Sequence, residues 1–343
     1  MLVFRIASIV AAAGCFSAHF AWASSGDRSF EFQDCLAGCD SAICANPPSL
    51  SLPLRLTLWS CADDCKYHCT HVVTDRALER VPQEPVQQFY GKWPFWRLWG
   101  MQEPASVAFS LLNLWAHLRG FRDVRRRIPP TNPLRGYIMA WSLLSVNLWV
   151  WSSVFHTRDK STTEKLDYFS AALAILYSLF YAVLRLFHLY MPSDPRSLRR
   201  TSRAKTHGWI LRLWATTCAL LYIAHVSYLS ALPRFDYAYN IRANLGIGLT
   251  HHALWLCYSF PRLSPFRLQN HPKRPSKRPA LLVLLTTCAT CLELFDFPAW
   301  HRAIDAHALW HLSTAPIVTL WYQFLIGDAL AMEEGHAQSM LKM

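Results

Sequence analysis

Two stretches of the chain place serine, histidine and aspartate at spacings that suit hydrolytic chemistry. In "SSVFHTRDKSTTEKLD", Ser152 stands four residues before His156, and Asp167 follows eleven residues after that histidine. Residues four apart share one face of a helix. In "DAHALWHLSTAP", His307 and His311 repeat the spacing, so both imidazoles project from one face. Imidazole is a good zinc ligand, and three protein ligands with a water in the fourth position is the catalytic form of a zinc site. Zinc lowers the pKa of that water to about 7. A neighbouring carboxylate can orient the water or take its proton. A hydroxyl one turn from a ligand can donate to an oxyanion. H-x3-H alone is a weak signal, since membrane helices also use it for haem and for packing. His188, His225, His251 and His252 are read as such packing or interfacial residues. No G-x-S-x-G occurs, which argues against a serine-nucleophile lipase.

These residues need elements to hold them, and composition says which. Of 343 residues, 52% are hydrophobic and 16% charged, against about 25% charged in a soluble domain. The apolar residues form runs of roughly 20, the length a helix needs to cross a bilayer. Seven spans are expected, at 101–118, 134–155, 166–190, 208–230, 240–260, 279–297 and 307–330. The predicted fold is an all-α membrane protein, a seven-helix transmembrane bundle. His156 and Asp167 then flank the second connection, and His307 enters the last span from the same side.

The N-terminus reads as a cleaved secretory signal, residues 1–23, with Ala21-Trp22-Ala23 before the cut. A first transmembrane anchor is the alternative. A Cys-rich domain, 24–99, follows; then the seven-span domain, 100–330; then a tail, 331–343. Connections one, three and five carry the Arg and Lys clusters "RGFRDVRRRIPPTNPLR", "MPSDPRSLRRTSRAKTH" and "PRLSPFRLQNHPKRPSKRP", while the second is mixed and the fourth and sixth hold one Arg each. The positive-inside rule places the odd connections and the C-terminus in the cytosol, with the N-terminus and even connections in the lumen. The net charge of +12 is accounted for by basic loops against an anionic leaflet, and no nucleic-acid partner is expected. Among 11 cysteines, Cys35, Cys39, Cys44, Cys61, Cys65 and Cys69 cluster behind the signal. They read as a disulfide framework with 15 possible connectivities. A zinc module with His68 and His71 is the rival reading.

Ser152-x3-His156, Asp167 and His307-x3-His311 on seven spans resemble the CREST superfamily of membrane hydrolases, which includes the alkaline ceramidases. Within it, "DCLAGC", "WSCADDCKYHC", "QFYGKWPFWRLWGMQEPASVAFSLLNLWAH" and "VWSSVFHTRDKSTTEKLDYF" resemble the Post-GPI-attachment-to-proteins factor 3 family. The resemblance spans essentially the whole chain after the signal. It implies a multi-pass Golgi enzyme that removes the unsaturated sn-2 acyl chain from GPI-anchored proteins, a phospholipase A2-type cut. Its motif residues carry over as His156, His307 and His311 for zinc, with Ser152 and Asp167 beside the metal. The ceramidase branch also has a calcium site near the first span, and Glu103 in "MQEPAS" matches one of its carboxylates. An amide-cleaving ceramidase and a non-catalytic receptor for lipid-anchored cargo are the competing functions.

Overall fold

The computed structural model describes residues 24–47, 49–190, 202–263 and 276–340. The expected signal, 1–23, and most of the third and fifth basic connections lie outside the described residues. Three helices make a small N-terminal head: α1, Phe30–Cys39; α2, Leu52–Leu56; and α3, Cys61–Glu79. A π-helical turn, Asp40–Cys44, continues α1. Ser60 caps α3 in a full capping box with Asp63. The C-x3-C spacing puts cysteines one turn apart on both strands of the pair, and three bridges join them as antiparallel rungs. These are Cys35–Cys69, Cys39–Cys65 and Cys44–Cys61. All six cysteines are therefore consumed, and the disulfide reading stands over the zinc-module reading. The head core is correspondingly small: Phe32, Cys69, Val73 and Phe89.

Among the described residues seven long helices follow: α4, Pro104–Arg127; α5, Arg135–Thr157; α6, Ser161–Leu186; α7, Ser202–Ala231; α8, Tyr237–Ser259; α9, Arg278–Leu294; and α10, Ala306–Met340. Each expected span corresponds to one of them. By length and composition four can cross a membrane: α5, α6, Gly208–Ala231 of α7 and Ala306–Met332 of α10. The other three fall short for visible reasons. The last turns of α4 carry Arg125, Arg126 and Arg127, so much of the expected first connection is helix. Those cations favour a helix C-terminus, and Pro129-Pro130 follow the stop. α8 carries Arg242, His251 and His252. α9 has 17 residues, about 25 Å of helix against ~30 Å of hydrocarbon. Helix α10 also continues through most of the expected tail.

The principal packing partners run α4–α5–α6–α8–α9–α10 and back to α4, a closed ring, with α7 packed outside against α6. Two helices of this ring, α4 and α5, are inside-out. On α4 the buried stripe is Ser106, Ser110, Asn113, His117, Gly120 and Val124, while Leu111, Leu112, Trp115 and Leu118 are exposed. On α5 it is Ile138, Ser142, Ser145, Trp149, Ser152 and His156, with Leu143, Val150 and Val154 exposed. Both stripes step by alternating threes and fours, the spacing of one helix face. Small polar residues let backbones approach inside a bundle, while apolar ones face lipid. Gly120 is the limiting case: a Cβ there would overlap the Tyr322 ring of α10. At the end of the bundle away from the head, Arg185 of α6 makes a bidentate pair with Asp328 of α10, at 2.6 and 2.8 Å.

The head docks on the end where connections two and six emerge. Trp96 N–H donates to the Arg302 carbonyl at 2.9 Å, and Arg302 also donates to His71 Nδ1 at 2.9 Å and pairs with Asp75. His71 Nε2 reaches the Phe95 carbonyl at 3.1 Å and its ring stacks on Trp96 at 4.0 Å. From connection two, Arg158 pairs with Asp63 at 2.6 Å. Head and even connections thus share one side, as the charge pattern requires.

Two expectations follow. Thiol labelling of denatured, unreduced protein should mark Cys218, Cys257, Cys288 and Cys291 and none of the six head cysteines; labelled head cysteines would contradict the rungs. The second concerns pH. Burial, then the Arg302 charge, pushes His71 from its ordinary 6.5 down to about 4. The unfolded chain therefore binds a proton that the docked histidine refuses. The stabilisation is fully present above pH 6.5 and is lost as pH falls towards 4. Wild type should lose more thermal stability between pH 7 and 4 than His71→Gln; parallel profiles would show that His71 does not carry it.

Candidate metal centre

The site lies at the head end of the ring. Asp305 caps α10, accepting from Ala308 N–H at 2.8 Å, and this fixes the first two turns, from which His307 and His311 project. His156 lies in the last turn of α5, where carbonyls lack helical partners. Those of His156 and Thr157 accept from Glu103 and Gln102 N–H, both at 3.0 Å. The connector before α4 is thereby stitched to α5 beside the histidine.

The structure brings together all three expected imidazoles. His307 Nε2 stands 3.3 Å from His156 Nε2 and 3.0 Å from His311 Nε2. Two are buried and His307 is half-buried. Each ring is held from behind by a different partner on Nδ1. His156 Nδ1 meets Glu103 at 2.8 Å, His307 Nδ1 meets Glu293 of α9 at 2.6 Å, and His311 Nδ1 meets Ser110 Oγ of α4 at 2.9 Å. With Nδ1–H donated outward, the neutral tautomer leaves three Nε2 lone pairs facing one another. Such lone pairs repel unless a cation sits among them. Zinc-to-nitrogen bonds of 2.0–2.1 Å in a tetrahedron separate nitrogens by about 3.3 Å, close to what is seen. The three histidines form a group able to hold a metal ion. The outer carboxylates and hydroxyl are the partners that metal-bound histidines ordinarily have. Cys44, Cys61 and Cys65 also cluster, but their sulfurs are spent in disulfides.

Ser152 is buried beside this group, and its Oγ lies 3.1 Å from Ser110 Oγ. His311 Nδ1–H donating to Ser110 leaves Ser110 O–H to donate to Ser152. The Ser152 hydrogen is then left for an acceptor other than Ser110. Ser153 is occupied differently, donating to the Trp149 carbonyl one turn back at 2.7 Å. Asp167, at the start of α6, is partly buried and acts electrostatically on His307 without a hydrogen-bond partner among the described residues. Glu103 has both oxygens engaged, one by His156 and the other by Lys92, which leaves it serving the histidine rather than standing open for calcium. His188, His225, His251 and His252 take no part in this cluster. Sequence reasoning missed Ser110 and Glu293 and gave Glu103 another role. Ser110 was legible only as one polar residue among several on the α4 stripe; Glu293 was legible as a carboxylate at the end of an otherwise apolar run.

The chain matches the Per1-like family over residues 51–329. It is 38% identical over 330 residues to a Cricetulus griseus protein named GPI-specific phospholipase A2-like PGAP3, covering 94% of each chain. The Homo sapiens protein of that name is 37% identical over 321 residues, 92% of each chain. The Schizosaccharomyces pombe Protein PER1 homolog is 38% identical over 309 residues, 89% of this chain and 87% of that one. No solved structure shows a significant match to the chain.

The geometry sets an expectation for metal. Purified wild type should carry about one ion per chain, and His307→Ala should carry almost none by elemental analysis. Glu293→Ala should keep the site but weaken it by about 10–100-fold in chelator competition. Wild-type metal content in His307→Ala would break the ligand set.

Proposed function

The chain belongs to the Per1-like family, and on that footing we propose that it is a zinc-dependent hydrolase that removes the sn-2 acyl chain from GPI anchors. His156, His307 and His311 are the proposed zinc ligands, with Ser152 and Asp167 as catalytic residues. The observation that carries the reading is the fixing of all three imidazoles from Nδ1, so that their Nε2 atoms converge, with Ser152 joined to the group through Ser110. Three neutral imidazoles suit zinc among the divalent ions, whereas calcium and magnesium prefer oxygen. Zinc held there would supply a Lewis acid and make water a competent nucleophile at neutral pH.

The chain's own residues then have separate tasks. Glu103, Glu293 and Ser110 hold the imidazoles in one tautomer. Asp167 takes the proton of the attacking water as it adds to the ester carbonyl carbon. It returns that proton to the departing glycerol oxygen, giving a fatty acid and a lysolipid. Ser152 donates its O–H to the carbonyl oxygen as negative charge gathers there, and Ser110 keeps that hydrogen aimed inward. The ring of helices holds the acyl chain. The relatives' name, GPI-specific phospholipase A2-like PGAP3, supports GPI-anchored proteins as the substrate. The proposed setting is the Golgi membrane, with the head and metal centre lumenal and the C-terminus cytosolic; the proposed units are 1–23, 24–99, 100–330 and 331–343. The basic odd connections and the docking of head against even connections support that orientation.

The direct test is lipid analysis of a GPI-anchored protein from cells with and without this chain. Its loss should leave an unsaturated sn-2 chain in place; a rise in ceramide with normal anchors would point to the ceramidase instead. Within the site, Ser152→Ala should cost about 2.7–4 kcal/mol of transition-state stabilisation, a hundredfold or more in turnover. Ser153, already bonded to its own helix at 2.7 Å, is the control: Ser153→Ala should leave turnover near wild type. Equal mild losses would remove Ser152 from catalysis.

A further inference from the structure

A cleft of about 290 Å³ opens between the head and the bundle, close to the size of small-molecule sites. Its walls come from α3, the connector before α4, and the short connection between α5 and α6. It adjoins the metal centre through one chain of contacts. Lys92 lines the cleft and pairs with Glu103, which holds His156. Arg158 and Asp159, also in the wall, follow His156 by two and three residues.

The charges in this wall do not balance. Asp63 is engaged by Arg158 at 2.6 Å, and Asp159 is shared with Lys92 at 3.3 Å. Burial alone would lower the Lys92 pKa, but Glu103 and then Asp159 hold it above its ordinary value, so the ammonium persists. Lys66 and Lys160 line the same cleft and have no carboxylate partner among the described residues. Lys66 lies 5.5 Å from the Tyr90 ring centroid. The buried Nε of Arg158 has no hydrogen-bond partner among the described residues. Beside these cations stand Trp93 and Tyr90, flat apolar faces with polar edges. Surplus cations with aromatic faces match an anionic phosphodiester attached to a polyol.

We propose that this cleft is the headgroup subsite, in which Lys66, Lys160 and Arg158 receive the phosphodiester and Trp93 and Tyr90 receive the attached inositol and first sugar. The proposal rests on the hydrolase reading for the identity of the ligand, though not for the existence of the subsite. Its position is chemically apt. In a phosphoinositide only two glycerol carbons and two oxygens separate the sn-2 carbonyl from phosphorus. A headgroup held next to Lys92 therefore leaves the ester within reach of the histidines. The head would thus be part of the substrate site rather than an appendage.

The test is binding of glycerophosphoinositol, the water-soluble deacylated headgroup, to the purified full chain in detergent. Wild type should bind saturably, more weakly as salt rises, and should bind uncharged inositol at least about tenfold less well. Lys66→Gln with Lys160→Gln should lose about tenfold or more in affinity, while Lys165→Gln, outside the cleft, should bind as wild type does. Absence of saturable binding by wild type to millimolar concentration, or unchanged binding by the double variant, would overturn the proposal. So would equal affinity for inorganic phosphate, which would make this a free-phosphate site. Headgroup binding without ester hydrolysis would support the subsite and remove the hydrolase; hydrolysis without headgroup binding would do the reverse.

Discussion

Three imidazole lone pairs pointed at one another are the constraint around which this chain is arranged. Left to themselves the rings would rotate apart, since each nitrogen prefers a donor. They stay because each Nδ1 is tied to a group from a different element: Glu103 ahead of α4, Ser110 on α4 and Glu293 at the end of α9. Two of the three anchors are carboxylates accepting from a neutral imidazole, and the buried one, Glu103, would lose a partner its charge needs if His156 were removed. The ring of helices closes at α4–α10, which is also where Ser110 meets His311. Closure of the bundle and alignment of the site are therefore one structural event.

The inside-out character of α4 and α5 follows from the same need. A bundle in lipid gains little by burying leucine, because lipid is as apolar as leucine. Its interior can be given to serine, asparagine and histidine, provided each finds a partner. Asn113 shows the economy: its amide donates to the His311 carbonyl at 2.6 Å while its oxygen accepts from Thr314 at 3.1 Å. The helix turn carrying His311 is thus braced through its backbone as well as its ring.

Much of this was legible in the sequence because the signals were local. S-x3-H and H-x3-H each lie on one helix, and apolar runs mark the helices directly. Asp167 was legible as a carboxylate at a span edge. The parts that escaped are those fixed by packing. Ser110 and His311 are 201 residues apart, and no spacing rule relates them. Glu103 was singled out only through its resemblance to a calcium-site carboxylate, and the role seen depends on Lys92, which arrives from an irregular connector. The disulfide rungs needed the antiparallel placement of α1 and α3, which spacing alone left among 15 pairings. The extension of α4 was hidden because arginines look like loop in a hydropathy reading, yet they suit the last turns of a helix reaching water.

The head's size and stapling make sense beside the shortness of the loops. Only Arg158, Asp159 and Lys160 join α5 to α6, too little chain to build a polar wall above the histidines. A core of four buried residues is also too small to stand without bridges. The three rungs give α3 enough rigidity to present Asp63, Lys66 and His71 to the bundle at a fixed angle. Arg302 and Arg158, from two separate connections, then grip Asp75 and Asp63 on that helix. Two grips define an orientation where one would permit rotation. With α3 so held, the connector behind it must pass over the site, and Lys92 falls on Glu103. The disulfides thus brace the helix by which the head is docked, and the connector behind it carries the lysine that meets Glu103, the carboxylate bonded to His156.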